Sequence, residues 1–139
     1  MIALDTNVIS ELMRVEPDQR VIAWARGLDD RDLAVPAPVL AEIFRGLHRL
    51  AAGARRQRLE CALDAFLDRI DDRHLLAFDP PAAVAFGIVM AEAEQRGRSM
   101  PTMDALIAAT CRSHAVPLAT RNIDDFEGAG IGLVDPWRR

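Results

Sequence analysis

Asp5, Glu42, Asp104 and Asp125 are the residues of this 139-residue chain whose type and setting could do chemistry. Asp5 follows Ile2-Ala3-Leu4, a short apolar run without alternation, which suits a strand buried on both faces. Thr6-Asn7 is turn and cap chemistry, and Val8, Ile9 and Leu12 then recur at helical spacing. Asp5 is therefore expected where a buried strand ends and a helix begins, and in open parallel sheets sites form at the carboxyl ends of strands. A carboxylate there costs free energy unless it is paired, and a cation is the natural partner. Glu42 lies among Val39-Leu40-Ala41 and Ile43-Phe44, a setting that faces a cleft or a groove edge. Asp104 falls in a first helical turn, where the dipole and free N–H groups favour an ionised carboxylate. Asp125 follows Thr120 by a short loop.

Each acid alone has an ordinary structural use as a cap, a dipole partner or a helix-edge residue, and one of Asp124 and Asp125 is expected to be plain surface. Together they imply more. In a doubly wound sheet the carboxyl ends of the first and fourth strands bring Asp5 and Asp125 together, with Asp104 beside them. Crowded carboxylates repel and take up protons unless a divalent cation removes the penalty. Oxygen-only ligands favour Mg²⁺ or Mn²⁺, and no Cys/His set favours zinc. Such a site holds a phosphodiester oxygen, lowers the pKa of water and stabilises a leaving oxygen, which is metal-dependent nuclease chemistry.

The elements that must position these acids alternate. Strands are expected at Ile2–Leu4, Leu33–Val35, Leu75–Phe78, Val116–Thr120 and Gly130–Val134. Helices are expected after Asp5, from Pro17, over 38–52, from Ala54, over 81–96 and from the Ser99–Thr102 stretch to about His114, with a loop or single helical turn at 121–126. This predicts an α/β fold in one domain spanning 1–139. A mainly parallel central sheet of about five strands carries helices on both faces, and a helical arm or hairpin spans about 38–72.

Half of the residues are hydrophobic and 27% are charged, as in a globular protein with one continuous core. No stretch has the length and apolarity of a membrane span or the form of a signal peptide, so a cytoplasmic protein is expected. Cys61 and Cys111 lack metal-ligand spacing and read as reduced core thiols. A net charge of -4 argues against simple electrostatic coating of nucleic acid but leaves room for a local basic surface. All 17 basic residues other than His are Arg, so no Lys-dependent chemistry is available. That excludes a phosphoaspartate receiver. Asn7, where a haloacid-dehalogenase-type phosphatase needs a second Asp, excludes that enzyme. Arg45, Arg49, Arg55, Arg56 and Arg58 either contact phosphates or partner acids or form a solvated arm. Trp24 and Trp137 read as packing residues, and the three His are scattered.

The chain resembles a PIN-domain ribonuclease, in particular the VapC-type toxins of bacterial toxin–antitoxin pairs and their FitB-like members. The resemblance rests on Ile2-Ala3-Leu4-Asp5-Thr6-Asn7-Val8-Ile9-Ser10-Glu11, on Glu42 in its helix, and on Asp104-Ala105-Leu106-Ile107-Ala108-Ala109-Thr110. It extends to Ala119-Thr120-Arg121-Asn122 with Asp125-Phe126, and to Asp135-Pro136-Trp137. It covers the whole chain in family order. It implies that Asp5 and Asp104 hold Mg²⁺ (or Mn²⁺) and that Glu42 completes the site or positions the attacking water. The fourth acidic position departs from the pattern. FitB-like members carry Asp where Asn122 stands, whereas other members carry Asn there and an acid three residues on, at Asp125. Thr6 and Thr120 are expected to orient a carboxylate or water. The implied activity is RNA hydrolysis leaving 5′-phosphate and 3′-hydroxyl ends. The implied partners are a VapB/FitA-like antitoxin, operator DNA through that antitoxin, and a second copy of the chain in a homodimer. The alternative is a catalytically weak PIN module acting through antitoxin binding and DNA-bound repression.

Overall fold

The computed structural model describes residues 1–138. Five short strands form one parallel sheet in the order β3-β2-β1-β4-β5. They are β1 (Ile2–Leu4), β2 (Leu33–Pro36), β3 (Leu75–Leu76), β4 (Leu118–Ala119) and β5 (Leu133–Val134). The register pairs Ala3 with Ala34 on one side and with Leu118 on the other. Ala3, Leu4, Ala34, Val35, Leu118 and Ala119 are all fully buried. Successive strand residues point to opposite faces, so helices cover both. This is why the strand runs are apolar without alternation.

From β1 the chain steps outward to β2 and β3, then returns past β1 to β4 and β5. The strand order therefore reverses between β1 and β4, and a crevice opens at their carboxyl ends. Seven helices make the connections: α1 (Thr6–Leu12), α2 (Gln19–Arg26), α3 (Ala37–Arg49), α4 (Ala54–Asp68), α5 (Pro80–Gln95), α6 (Thr102–Ser113) and the single turn α7 (Ile123–Phe126). In α6, residues Ala105 and Ile107 through Cys111 are buried, making it the central helix of the core. The arm helix α4 fully buries only Leu63. No helix among the described residues is long and apolar enough to cross a membrane.

Several boundaries differ from the sequence expectation. Pro17 does not begin α2; Asp18 caps it by accepting the Arg20 N–H, and the helix starts at Gln19. Pro36 is the last residue of β2, opposite Leu76, where a missing N–H is tolerated. β3 stops at Leu76, opposite Pro36, the last residue of its partner β2; beyond it His114 Nε2 meets the Ala77 carbonyl at 3.0 Å and Phe78 meets Phe86 edge-on at 6.4 Å. β4 and β5 are two residues each; Gly130, expected in β5, takes φ +80° and lies outside it. Short 3₁₀ turns at Asp30–Asp32, Asp72–His74 and Pro136–Arg138 were not anticipated, being too brief to show a period.

Candidate functional site

Asp5 sits at the carboxyl end of β1, only 6% exposed. Its backbone N–H donates to the Ala119 carbonyl at 2.9 Å, which fixes it against β4. Its side chain spans both neighbouring segments. Oδ1 accepts the Thr6 N–H at 2.8 Å, and Oδ2 accepts the Thr120 hydroxyl at 2.7 Å. Thr120 follows β4, is fully buried, and accepts the Asn122 N–H at 3.0 Å. One hydroxyl therefore ties the β4 end to Asp5 and to the loop beyond. Asn7 closes the same ring: Nδ2 reaches Asp5 Oδ2 and Thr120 Oγ1 at 3.4 Å each, and Oδ1 accepts the Arg121 N–H at 3.3 Å.

Glu42 lies in the second turn of α3 and is half-buried. Its Oε1 accepts the Thr6 hydroxyl at 2.7 Å, so the residue after Asp5 orients the second acid. Asp104, half-buried, is in the first turn of α6. Asp125 is exposed on α7, its N–H donating to the Asn122 carbonyl at 3.1 Å. Asn122 itself is exposed.

The four acids feel one another. Burial raises the Asp5 carboxyl above its ordinary value; the Thr120 and Thr6 hydrogen bonds offset this in part, and Glu42 and Asp125 add to it. Asp104 is pushed up to about 6, first by burial, then by Asp125, Asp5 and Glu42. The helix-dipole expectation for Asp104 is thus outweighed. A terminus dipole favours the ionised form by less than partial burial beside three other acids disfavours it. Among the described residues no three His, Cys, Asp or Glu side chains converge as a ready-made ligand cage. The acids are electrostatic neighbours: Glu42 and Asp125 act on Asp5, and Asp125, Asp5 and Glu42 act on Asp104. Their oxygen-only chemistry, with the carboxyls of Asp5 and Asp104 raised, suits a hard divalent ion.

Two depressions adjoin the acids. One, of about 340 Å³, is lined by Thr6, Glu42, Gly46, Leu47, Leu59 and Leu63. The other, about 50 Å³, is a polar notch containing Asp125, Arg96, Arg98 and Pro101. A larger cavity, about 650 Å³, lies between α2 and α4, away from the acids.

The PIN domain model matches residues 2–131. The chain belongs to the PIN-domain family. It is 37% identical to "VapC ribonuclease Y4jK" of Sinorhizobium fredii, over 99% of this chain and 98% of that one. It is 34% identical to "Toxin FitB" of Neisseria gonorrhoeae, over 99% of each. The crystal structure of FitAcB from Neisseria gonorrhoeae superposes with a TM-score of 0.93 at 34% identity, covering all of both chains. The structure of FitAB bound to a DNA fragment gives 0.91, covering 99% of this chain and 96% of that one. The architecture is thus that of a single PIN-like domain with a five-stranded parallel sheet.

Within this PIN domain, the scattered histidines stay away from the acids: His48 Nδ1 meets Arg56 at 2.8 Å, and His114 meets Ala77. Trp137 is buried under the Arg121 guanidinium, 5.1 Å from its ring centroid. Asn7 and Arg98 (below) are the residues of the site that sequence reasoning passed over. Asn7 had a signal, its place two residues after Asp5, but looked like turn chemistry. Glu11, also buried, accepts the Asp18 N–H at 3.2 Å and links α1 to the start of α2.

Proposed function

We propose that this chain is a Mg²⁺- or Mn²⁺-dependent endoribonuclease, the toxin of a VapBC-type pair. The observation that carries this reading is Asp104, held at about 6 among three other acids at the switch point of the sheet. Asp5 and Asp104 would hold the cation, with Asp125 completing the set from α7. When bound, the ion supplies electrophilic stabilisation of the phosphodiester and acidifies water. Glu42, fixed by the Thr6 hydroxyl, orients the attacking water and receives its proton. Thr120 and Asn7 hold the Asp5 carboxylate in place while the bond from phosphorus to the 3′ oxygen breaks and that oxygen takes a proton from solvent. The products carry 5′-phosphate and 3′-hydroxyl ends.

The relatives named VapC ribonuclease and FitB toxin support this chemistry, and the structure of FitAB bound to a DNA fragment supports an antitoxin partner through which operator DNA is reached. A homodimer working in the cytoplasm completes the reading. The test is purified, antitoxin-free protein incubated with a mixed RNA pool and Mg²⁺, Mn²⁺ or EDTA, alongside Asp5→Asn and Asp104→Asn. Cleavage that needs the metal and disappears in both variants is expected. Folded protein that cuts nothing with either metal would overturn it in favour of an antitoxin-binding module, and variants that keep full metal-dependent activity would overturn the assignment of the site.

A further inference from the structure

The turn that carries Asp125 is held from outside by an arginine. Arg98 lies in the connection from α5 to α6, and its backbone is anchored first. Gly97 takes φ +69° at the end of α5, its N–H donating to the Glu94 carbonyl at 3.0 Å, and the Arg98 N–H donates to the Ala93 carbonyl at 2.9 Å. This pair of bonds is a Schellman close, which fixes where the next side chain departs. From there the Arg98 guanidinium reaches α7. Nη2 donates to the Asp124 carbonyl at 2.6 Å and Nη1 to the Glu127 carbonyl at 3.3 Å. These carbonyls bracket Asp125.

A four-residue helix cannot hold itself together, because nucleation costs more than one turn of hydrogen bonds returns. Its last carbonyls have no partners within the helix and carry partial negative charge, which a guanidinium satisfies. A second arginine backs the first: the Arg96 guanidinium lies 2.8 Å from where a Cβ on Gly128 (φ +80°) would stand. Arg98 also stands three residues before Pro101, the cap of α6, whose first turn carries Asp104. A single side chain thus ties together the two segments that bear Asp104 and Asp125. Both guanidinium bonds run to main-chain carbonyls, so the residue acts on the site through the backbone.

The geometry points to Arg98 as a positioning residue that sets the spacing of Asp104 and Asp125 for a divalent cation. This rests on the reading of those two acids as cation ligands. Wild type, Arg98→Ala, Arg98→Lys and Asp125→Asn are compared by Mn²⁺ titration calorimetry without RNA, and by amide hydrogen exchange over 122–130. Arg98→Ala is expected to exchange faster over that stretch and to bind Mn²⁺ about tenfold more weakly, the size of effect seen when a ligand's support is removed. Arg98→Lys, which keeps one donor, should fall between, and it carries the test if the Ala variant does not fold. Faster exchange with wild-type Mn²⁺ affinity in both variants would reduce Arg98 to a loop staple, and unchanged exchange would also overturn the inference. Asp125→Asn binding Mn²⁺ like wild type would instead remove the ligand reading, and the inference with it, independently of what Arg98 does.

Discussion

The raised carboxyl of Asp104 makes a prediction about stability as well as about metal. An acid whose folded pKa exceeds its unfolded value weighs against the fold once it ionises. The contribution of Asp104 to the metal-free protein therefore worsens as pH rises from 3.8 through about 6, and is constant above. Asp104→Asn should raise the melting temperature by a few degrees in EDTA near pH 7, and the gain should vanish near pH 4. Melting curves at the two pH values check this; equal melting temperatures near pH 7 would contradict the burial and repulsion that raise the group. Thr120→Val keeps the shape of a fully buried side chain but removes the short bond to Asp5 and strands the Asn122 N–H. It should cost about 1–3 kcal/mol in urea unfolding and about 10- to 100-fold in apparent metal affinity measured through cleavage.

At the scale of elements, the helix ends matter more than the helix middles. α1 begins on Asp5, which caps it while keeping one carboxylate oxygen turned to Thr120. α5 ends in the left-handed Gly97 that launches Arg98. Gly97→Ala forces a side chain into that conformation and should cost about 1–2 kcal/mol, read by thermal melting, with faster amide exchange at the start of α6 as its local mark. The arm behaves differently. With Leu63 as its only fully buried residue, α4 is held by little apolar area, whereas α6 is sealed along most of its length. Amides of α4 should therefore exchange well before those of α6.

At the scale of the whole molecule, Cys111 reports on global unfolding. It is buried on α6, and burial together with Asp5 pushes its thiol up to about 12, while Cys61 is exposed on α4. A thiol reagent at neutral pH should label Cys61 at once and Cys111 only as the protein unfolds; immediate double labelling would show that α6 is not sealed.

Much of this molecule is legible in its residues. Ile2-Ala3-Leu4 ending at Asp5 pointed to a doubly buried strand, because a parallel sheet covered on both faces gives an apolar run without alternation a home. Asp5 and Glu42 could be singled out because a charged group among apolar neighbours is expensive to bury, and Asp104 and Asp125 by their places in a first helical turn and just after the fourth strand. Tertiary structure decided what depends on distant partners. The strand order placed β4 beside β1 and so let Thr120 donate to Asp5, across 115 positions of sequence. Packing reversed the electrostatics of Asp104, since repulsion depends on distance through space and no local pattern records it. Arg98 carries no local signal in the sequence; its two carbonyl partners lie 26 and 29 residues away, and only the folded chain brings them within reach.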